Sequence, residues 1–290
     1  PDRMTCEDGE LSNSKINCIP QKILVFGWGL ACEAVLKELQ PLAERHGAKV
    51  QCVSHISQAN DCDLQEVCKK MGFSCDLTDS DEDVLAIARR HGPDLILSAS
   101  YRRRIPTSVL NLCQDSLNFH PSLLPKHRGC WSGFWAIFEG DVESGVTCHR
   151  MMEKFDIGPI ICQERFRIAE DETSFSLYKK ALPVTATAAR AVFSLIFGAG
   201  LPAGHPQQGE ASYHRRSLPF GGVIQAEWSD VQVERFIRAM VFPPFKGAVV
   251  EVEGKQVEVL SLAHYHQLVD VAKPPDSQAG SPVKKAKLCD

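Results

Sequence analysis

From Lys22 to His120 the chain repeats one pattern, a short apolar run followed by a segment with helical spacing. The runs are residues 22–26, 49–53, 94–98 and 116–120. Between them, Leu30, Ala34, Val35, Leu39 and Leu42 mark a first helix, residues 64–71 a second, and Asp81-Glu82-Asp83 opens a third with acids at its positive end. Residues 106–112 form a short fourth helix with proline near its start. Apolar runs this short, each followed by a helix, predict a mostly parallel sheet with helices on both faces. The fold class expected is therefore α/β.

The rhythm changes after residue 140. Residues 145–151 alternate in polarity, and residues 159–168 read as their antiparallel neighbour. Residues 173–197 form a long helix bent at Pro183. Residues 198–222, rich in Gly, Pro and Gln, read as a linker. Beyond it, Ser229 and Gln232 make a capping box for a helix over 230–240. Residues 249–252 and 256–262 make a hairpin around a Glu-Gly turn. The expected division is a flexible arm over 1–20, a main domain over 21–205, a small β-rich domain over 206–268 and a disordered tail over 269–290. The basic stretch Lys284-Lys285-Ala286-Lys287 reads as a solvated tail rather than an import signal.

Twelve cysteines without a Cys-x-x-Cys pair argue against a zinc ribbon. Several lie in apolar runs, which predicts reduced, core-filling thiols in a cytoplasmic chain. No run approaches about 18 unbroken apolar residues, so no membrane partner is expected. The net charge of −4 argues against a broad nucleic-acid surface, although Arg102-Arg103-Arg104 and Arg215-Arg216 are local basic patches.

Gly27-Trp28-Gly29, between a strand and a helix, is part of a dinucleotide fingerprint. The third glycine is replaced by Cys32, and no acid follows at residues 53–55. A tight turn that lets the helix pack on the sheet is the better reading, and NAD is not expected. Asn118 and His120 lie two apart at the carboxyl end of a strand, so they share a face where open α/β sheets bind ligands. Such a pair is also a common structural hydrogen bond. Asp156, in a loop before another apolar strand, could orient the imidazole, or simply cap that loop before Gly158.

The blocks Asn118-x-His120-Pro-Ser-Leu-Leu-Pro-Lys-x-Arg-Gly, Gly145-Val-Thr-x-His149-x-Met151 and Asp156-x-Gly158-x-Ile160-x-x-Gln163 resemble the 10-formyltetrahydrofolate-dependent formyltransferase family. The likeness extends over about residues 21–265. It implies a Rossmann-like domain and a catalytic trio of Asn118, His120 and Asp156. It also implies a folate site lined by Ser122, Leu123, Leu124 and Pro125, with Arg103 and Ile105 from the family-like segment 101–106. In that chemistry Asn118 and a protonated His120 donate to an oxyanion and Asp156 holds the imidazole. 10-Formyltetrahydrofolate is the expected co-substrate, with neither metal nor NAD. His127 and His149 are given surface or supporting roles.

The segment 242–248 resembles the family's sugar-directed branch. The expected acceptor is therefore a small-molecule amine, a nucleotide-linked amino sugar first, with Arg102, Arg103 or Arg128 for its phosphates. Methionyl-tRNA is the less favoured acceptor, and a folate-binding hydrolase or pseudoenzyme the alternative. A homodimer fits this reading. An NAD(P) oxidoreductase and a nucleic-acid module are the rival classes.

Overall fold

The computed structural model describes residues 19–57 and 62–271. Of the expected arm over 1–20 and tail over 269–290, residues 1–18 and 272–290, with the basic stretch, lie outside the described residues, whereas residues 269–271 end a helix.

The chain begins β1 (Lys22–Gly27), α1 (Gly29–His46), β2 (Lys49–Ser54), α2 (Leu64–Lys70), β3 (Ser74–Leu77), α3 (Asp81–His91), β4 (Leu95–Ala99), α4 (Thr107–Leu110) and β5 (Ser116–His120). It continues with β6 (Arg128–Gly129), α5 (Ser132–Glu139), β7 (Glu143–Arg150), β8 (Ile160–Arg167) and α6 (Ser174–Ser194). It ends with β9 (Tyr213–His214), α7 (Asp230–Met240), the hairpin β10 (Val249–Val252) and β11 (Lys255–Glu258), and α8 (Leu262–Val271).

One sheet has the order β3-β2-β1-β4-β5-β7-β8. It is parallel from β3 to β5 and antiparallel from β5 to β8. Strand alternation sends Ile23, Val25, Leu95 and Leu97 to one face, where residues of α1, α2 and α6 cover them. Leu24, Phe26 and Ile96 point to the other, against α3 and α4. β3 was not expected from the sequence. It is an edge strand with no fully buried side chain, so it carries no apolar run.

Local chemistry accounts for the helices. In α1, Cys32, Val35, Leu36, Leu39 and Ala43 form one buried stripe, and Gly47 ends it at φ 68°. In α3, Ser80 accepts from the Asp83 N–H, with acids in the first turn and Arg89, Arg90 and His91 in the last. The turn before α1 needs glycine, because a Cβ on Gly27 would lie 1.9 Å from Cys32 Sγ. The helix from Ser174 to Ala199 is long and apolar enough to cross a bilayer. Here it packs on the sheet and buries Ala188, Ala189, Val192 and Phe193. The nine described cysteines are free thiols.

Two expectations about organisation need correction. The linker over 198–222 is partly ordered onto the main domain. His205 exchanges two 2.8 Å backbone hydrogen bonds with Ile160, and β9 pairs with β6. The boundary at 205/206 therefore falls too early. The C-terminal unit, expected to be β-rich, is a hairpin between two helices, and its core is completed by the main domain. Phe134, Ala136 and Ile137 of α5 and Leu177 of α6 pack with Val233, Phe236 and Met240 in a shared cluster.

Candidate active site

The site lies where the sheet switches from parallel to antiparallel. The β5–β7 register sets Asn118 opposite His149 and His120 opposite Thr147. Opposed residues of antiparallel strands share a face, so His149 joins Asn118 and His120. The loop after β7 then carries Asp156 back to them. It can pass so closely because Gly158 has no Cβ; one there would lie 1.9 Å from the Arg150 carbonyl oxygen.

Asp156 is the hub. Its Oδ1 accepts from Asn118 Nδ2 at 3.4 Å and lies 3.3 Å from His149 Nε2. Its Oδ2 accepts from the Gly129 N–H at 2.8 Å and lies 3.6 Å from His120 Nδ1. His120 Nε2 donates to the His127 carbonyl at 2.8 Å. His149 Nδ1 is 2.8 Å from the Arg150 carbonyl. His120 and His149 are 5% and 1% exposed.

Burial pushes the His120 pKa down, opposed by Asp156 and the His127 carbonyl. Burial would raise Asp156, but His120, His149 and the Gly129 amide more than offset it and hold the carboxyl below the usual carboxylate range. Burial thus favours the uncharged form of His120, while its neighbours favour the carboxylate form of Asp156.

A cleft of about 440 Å³ opens over these groups, with Ser98, Tyr101, Ile105, Asn118, His120 and Trp131 in its lining. Arg102, Arg103, Arg104, Lys154 and Arg216 add positive charge to it. The Tyr101 hydroxyl is buried and has no hydrogen-bond partner among the described residues, which suits a polar ligand. Arg103 is held by Asp81 at 2.8 Å, and the Arg102 guanidinium lies 4.8 Å from the Trp28 ring centre.

The structure thus brings Asn118, His120, Asp156, Arg103 and Ile105 to one cleft. It does not bring Ser122, Leu123, Leu124 and Pro125 there. The Ser122 hydroxyl closes its own loop by donating to the Lys126 carbonyl at 2.7 Å. Leu124 is buried, with its N–H on Thr147 Oγ1 at 3.2 Å. Leu123, Leu124 and Pro125 border a separate depression with Asp141, Gln163 and Arg165. Arg128 is not a free phosphate ligand either, because Nε and Nη2 bond Gln207 Oε1 at 3.1 and 2.6 Å.

Sequence reasoning missed Gln207. Its Nε2 donates to the Asp156 and Gly158 carbonyls at 2.7 and 2.9 Å, which fixes the loop that carries the hub. A lone glutamine in a polar stretch gives no signal. His149 and His127 were undervalued; both are buried, and the apolar alternation around His149 was the available clue.

Residues 21–190 match the formyl transferase family. A GDP-perosamine N-formyltransferase of Brucella melitensis biotype 1 is 39% identical over 251 residues, which is 86% of this chain and 95% of that protein. Two solved structures share the fold. A 4-N formyltransferase from Francisella tularensis has a TM-score of 0.65 at 21% identity, covering 82% of this chain and 96% of that one. An N-formyltransferase from Helicobacter canadensis, in complex with folinic acid and dTDP-3-aminofucose, has a TM-score of 0.67 at 18% identity, covering 81% and 86%. The chain belongs to the formyl transferase family. Its likeness to the Brucella protein runs nearly end to end of that protein, and its class is that of an N-formyltransferase.

Proposed function

We propose that the cleft moves the formyl group of 10-formyltetrahydrofolate to the primary amine of a nucleotide-linked amino sugar. The observation that carries this reading is the meeting of Asn118, His120 and Asp156 at a cleft that also holds five cationic side chains. The amine attacks the formyl carbon as the free base. Asn118 Nδ2–H donates to the oxygen that gains charge. Neutral His120 takes the proton lost by the amine, and the adjacent Asp156 carboxylate stabilises the resulting imidazolium. The bond from the formyl carbon to the folate nitrogen then breaks, and that nitrogen leaves with the proton.

The acceptor class rests on charge and on relatives. A diphosphate needs only a few well-placed cations, whereas a tRNA body needs a broad basic face. The net charge of −4 and the name of the Brucella relative favour the first. The test offers 10-formyltetrahydrofolate with a panel of sugar nucleotides and with methionyl-tRNA at about 0.15 M salt, near the physiological range. Release of tetrahydrofolate with mass detection of an N-formylated amino sugar is expected. Formylation of methionyl-tRNA with every sugar nucleotide inert would overturn the acceptor, and no formyl transfer to any amine would overturn the activity.

A further inference from the structure

A second cluster of titratable side chains, unused by formyl transfer, lies where β6 meets β9. His127 Nδ1 and His214 Nε2 share a hydrogen bond at 3.1 Å, which a bound ion would replace by taking the place of its proton. Glu139, at the end of α5, brings a carboxylate oxygen, so that one donor atom from each of the three residues lies within 4.8 Å of the others. The other ring nitrogen of His127, Nε2, is 2.9 Å from Asp141 Oδ2. That hydrogen bond fixes the tautomer, with the proton on Nε2 and a lone pair on Nδ1 aimed at the cluster. Asp141 also pairs with Lys126 at 2.9 Å. His214 lies flat on Trp135, with ring centres 4.2 Å apart and planes 9° apart. The Trp135 indole N–H, in turn, is buried without a partner among the described residues.

We propose that His127, His214 and Glu139 bind a zinc-class divalent ion at a structural site outside the formyl-transfer chemistry. Two imidazoles and a carboxylate, with a fourth position for water, are a donor set zinc accepts. Two nitrogens on one tetrahedral zinc stand about 3.3 Å apart at ordinary bond lengths, close to the separation already present. The exposed Glu139 has the freedom to close the remaining gap. A carboxylate behind a ligating imidazole, here Asp141, is the outer support such histidines use. The ligands come from the loop before β6, the end of α5 and strand β9, so the ion would fasten β9 to β6. The reach extends to catalysis, because the His127 carbonyl holds His120 Nε2. The sequence reading expected no metal.

The test uses the full chain, stripped with a chelator and titrated with zinc chloride by calorimetry, with thermal unfolding followed in parallel. One zinc per chain and a raised Tm are expected. His214→Gln should abolish that binding, and Asp141→Asn should weaken it about 10–100-fold, the usual loss for an outer partner. Glu139→Gln changes an exposed side chain, so it keeps the test sound if the histidine variant fails to fold; it too should weaken binding. Absence of a one-equivalent site in the unmodified chain overturns the proposal. So does wild-type zinc affinity in His214→Gln and Glu139→Gln, which would place the ion elsewhere, such as the thiols of α1, β2 and α2.

Discussion

Asp156 adopts φ 55°, a left-handed backbone that residues with a Cβ rarely take. Hydrogen bonds to its carboxylate from Gly129 and Asn118 and to its carbonyl from Gln207 hold it there. Strain sustained at such a point is typical of functional positions. Asn118→Ala and His120→Ala should each lower kcat about 100-fold or more, the usual cost of losing one group that stabilises the transition state. Steady-state turnover of the folded variants checks this, and near-normal turnover would remove the residue from the mechanism. The pH profile is a separate test. A base must be neutral, and burial pushes His120 below its ordinary pKa. The acid limb of kcat/KM should therefore centre below the ordinary histidine value. A limb centred above that value would sink the neutral-base role. At this scale Asn118 and His120 were legible because polar residues two apart in an apolar strand stand out. Asp156 was legible only with the family blocks around it, since an Asp before glycine has a ready structural use.

The short pair β6–β9 shows how an element of two residues per strand can govern a site. Gly129 has φ 86°, and a Cβ on it would lie 2.2 Å from the His214 carbonyl oxygen. Gly129→Ala should force β6 from β9 and withdraw the N–H that Asp156 Oδ2 accepts. Lower stability together with loss of turnover is expected, measured as the urea midpoint and kcat of the same preparation. Normal values for both would show that the pair can shift without consequence. Strands this short cannot be read from sequence, because two residues carry no period and their pairing is set by a return over some eighty positions. The long elements were legible for the opposite reason. β1 and β4 carry unbroken apolar runs, and α1 and α3 repeat their apolar spacing and end at glycines.

At the largest scale, the described residues form two apolar clusters flanking the sheet and a third shared between α5, α6 and the C-terminal unit. A chain ending at Arg216 should therefore self-associate, since Phe134, Ile137 and Leu177 would lose the cover of Phe236 and Val233. Light scattering of the truncated chain checks this, and a stable, active monomer would show that the cover is dispensable. Acid sensitivity is also a global property. Burial lowers the pKa of His91 and of His120 in the folded chain. Between those values and the ordinary histidine range the unfolded chain binds more protons, so stability should fall as pH drops through that window. Urea midpoints at pH 7 and pH 5 measure it; an unchanged or higher midpoint at pH 5 would contradict the assignment. The path of residues 205–216 back across the β6 loop adds a matter of timing. Synthesis proceeds from the N-terminus, and the last strand of the main sheet ends at Arg167. Gln207, which braces the Asp156 loop, follows the whole of α6, so in a chain made from its N-terminus the sheet and α6 precede this brace, and the loop is held until then only by the bonds from Asn118 and Gly129.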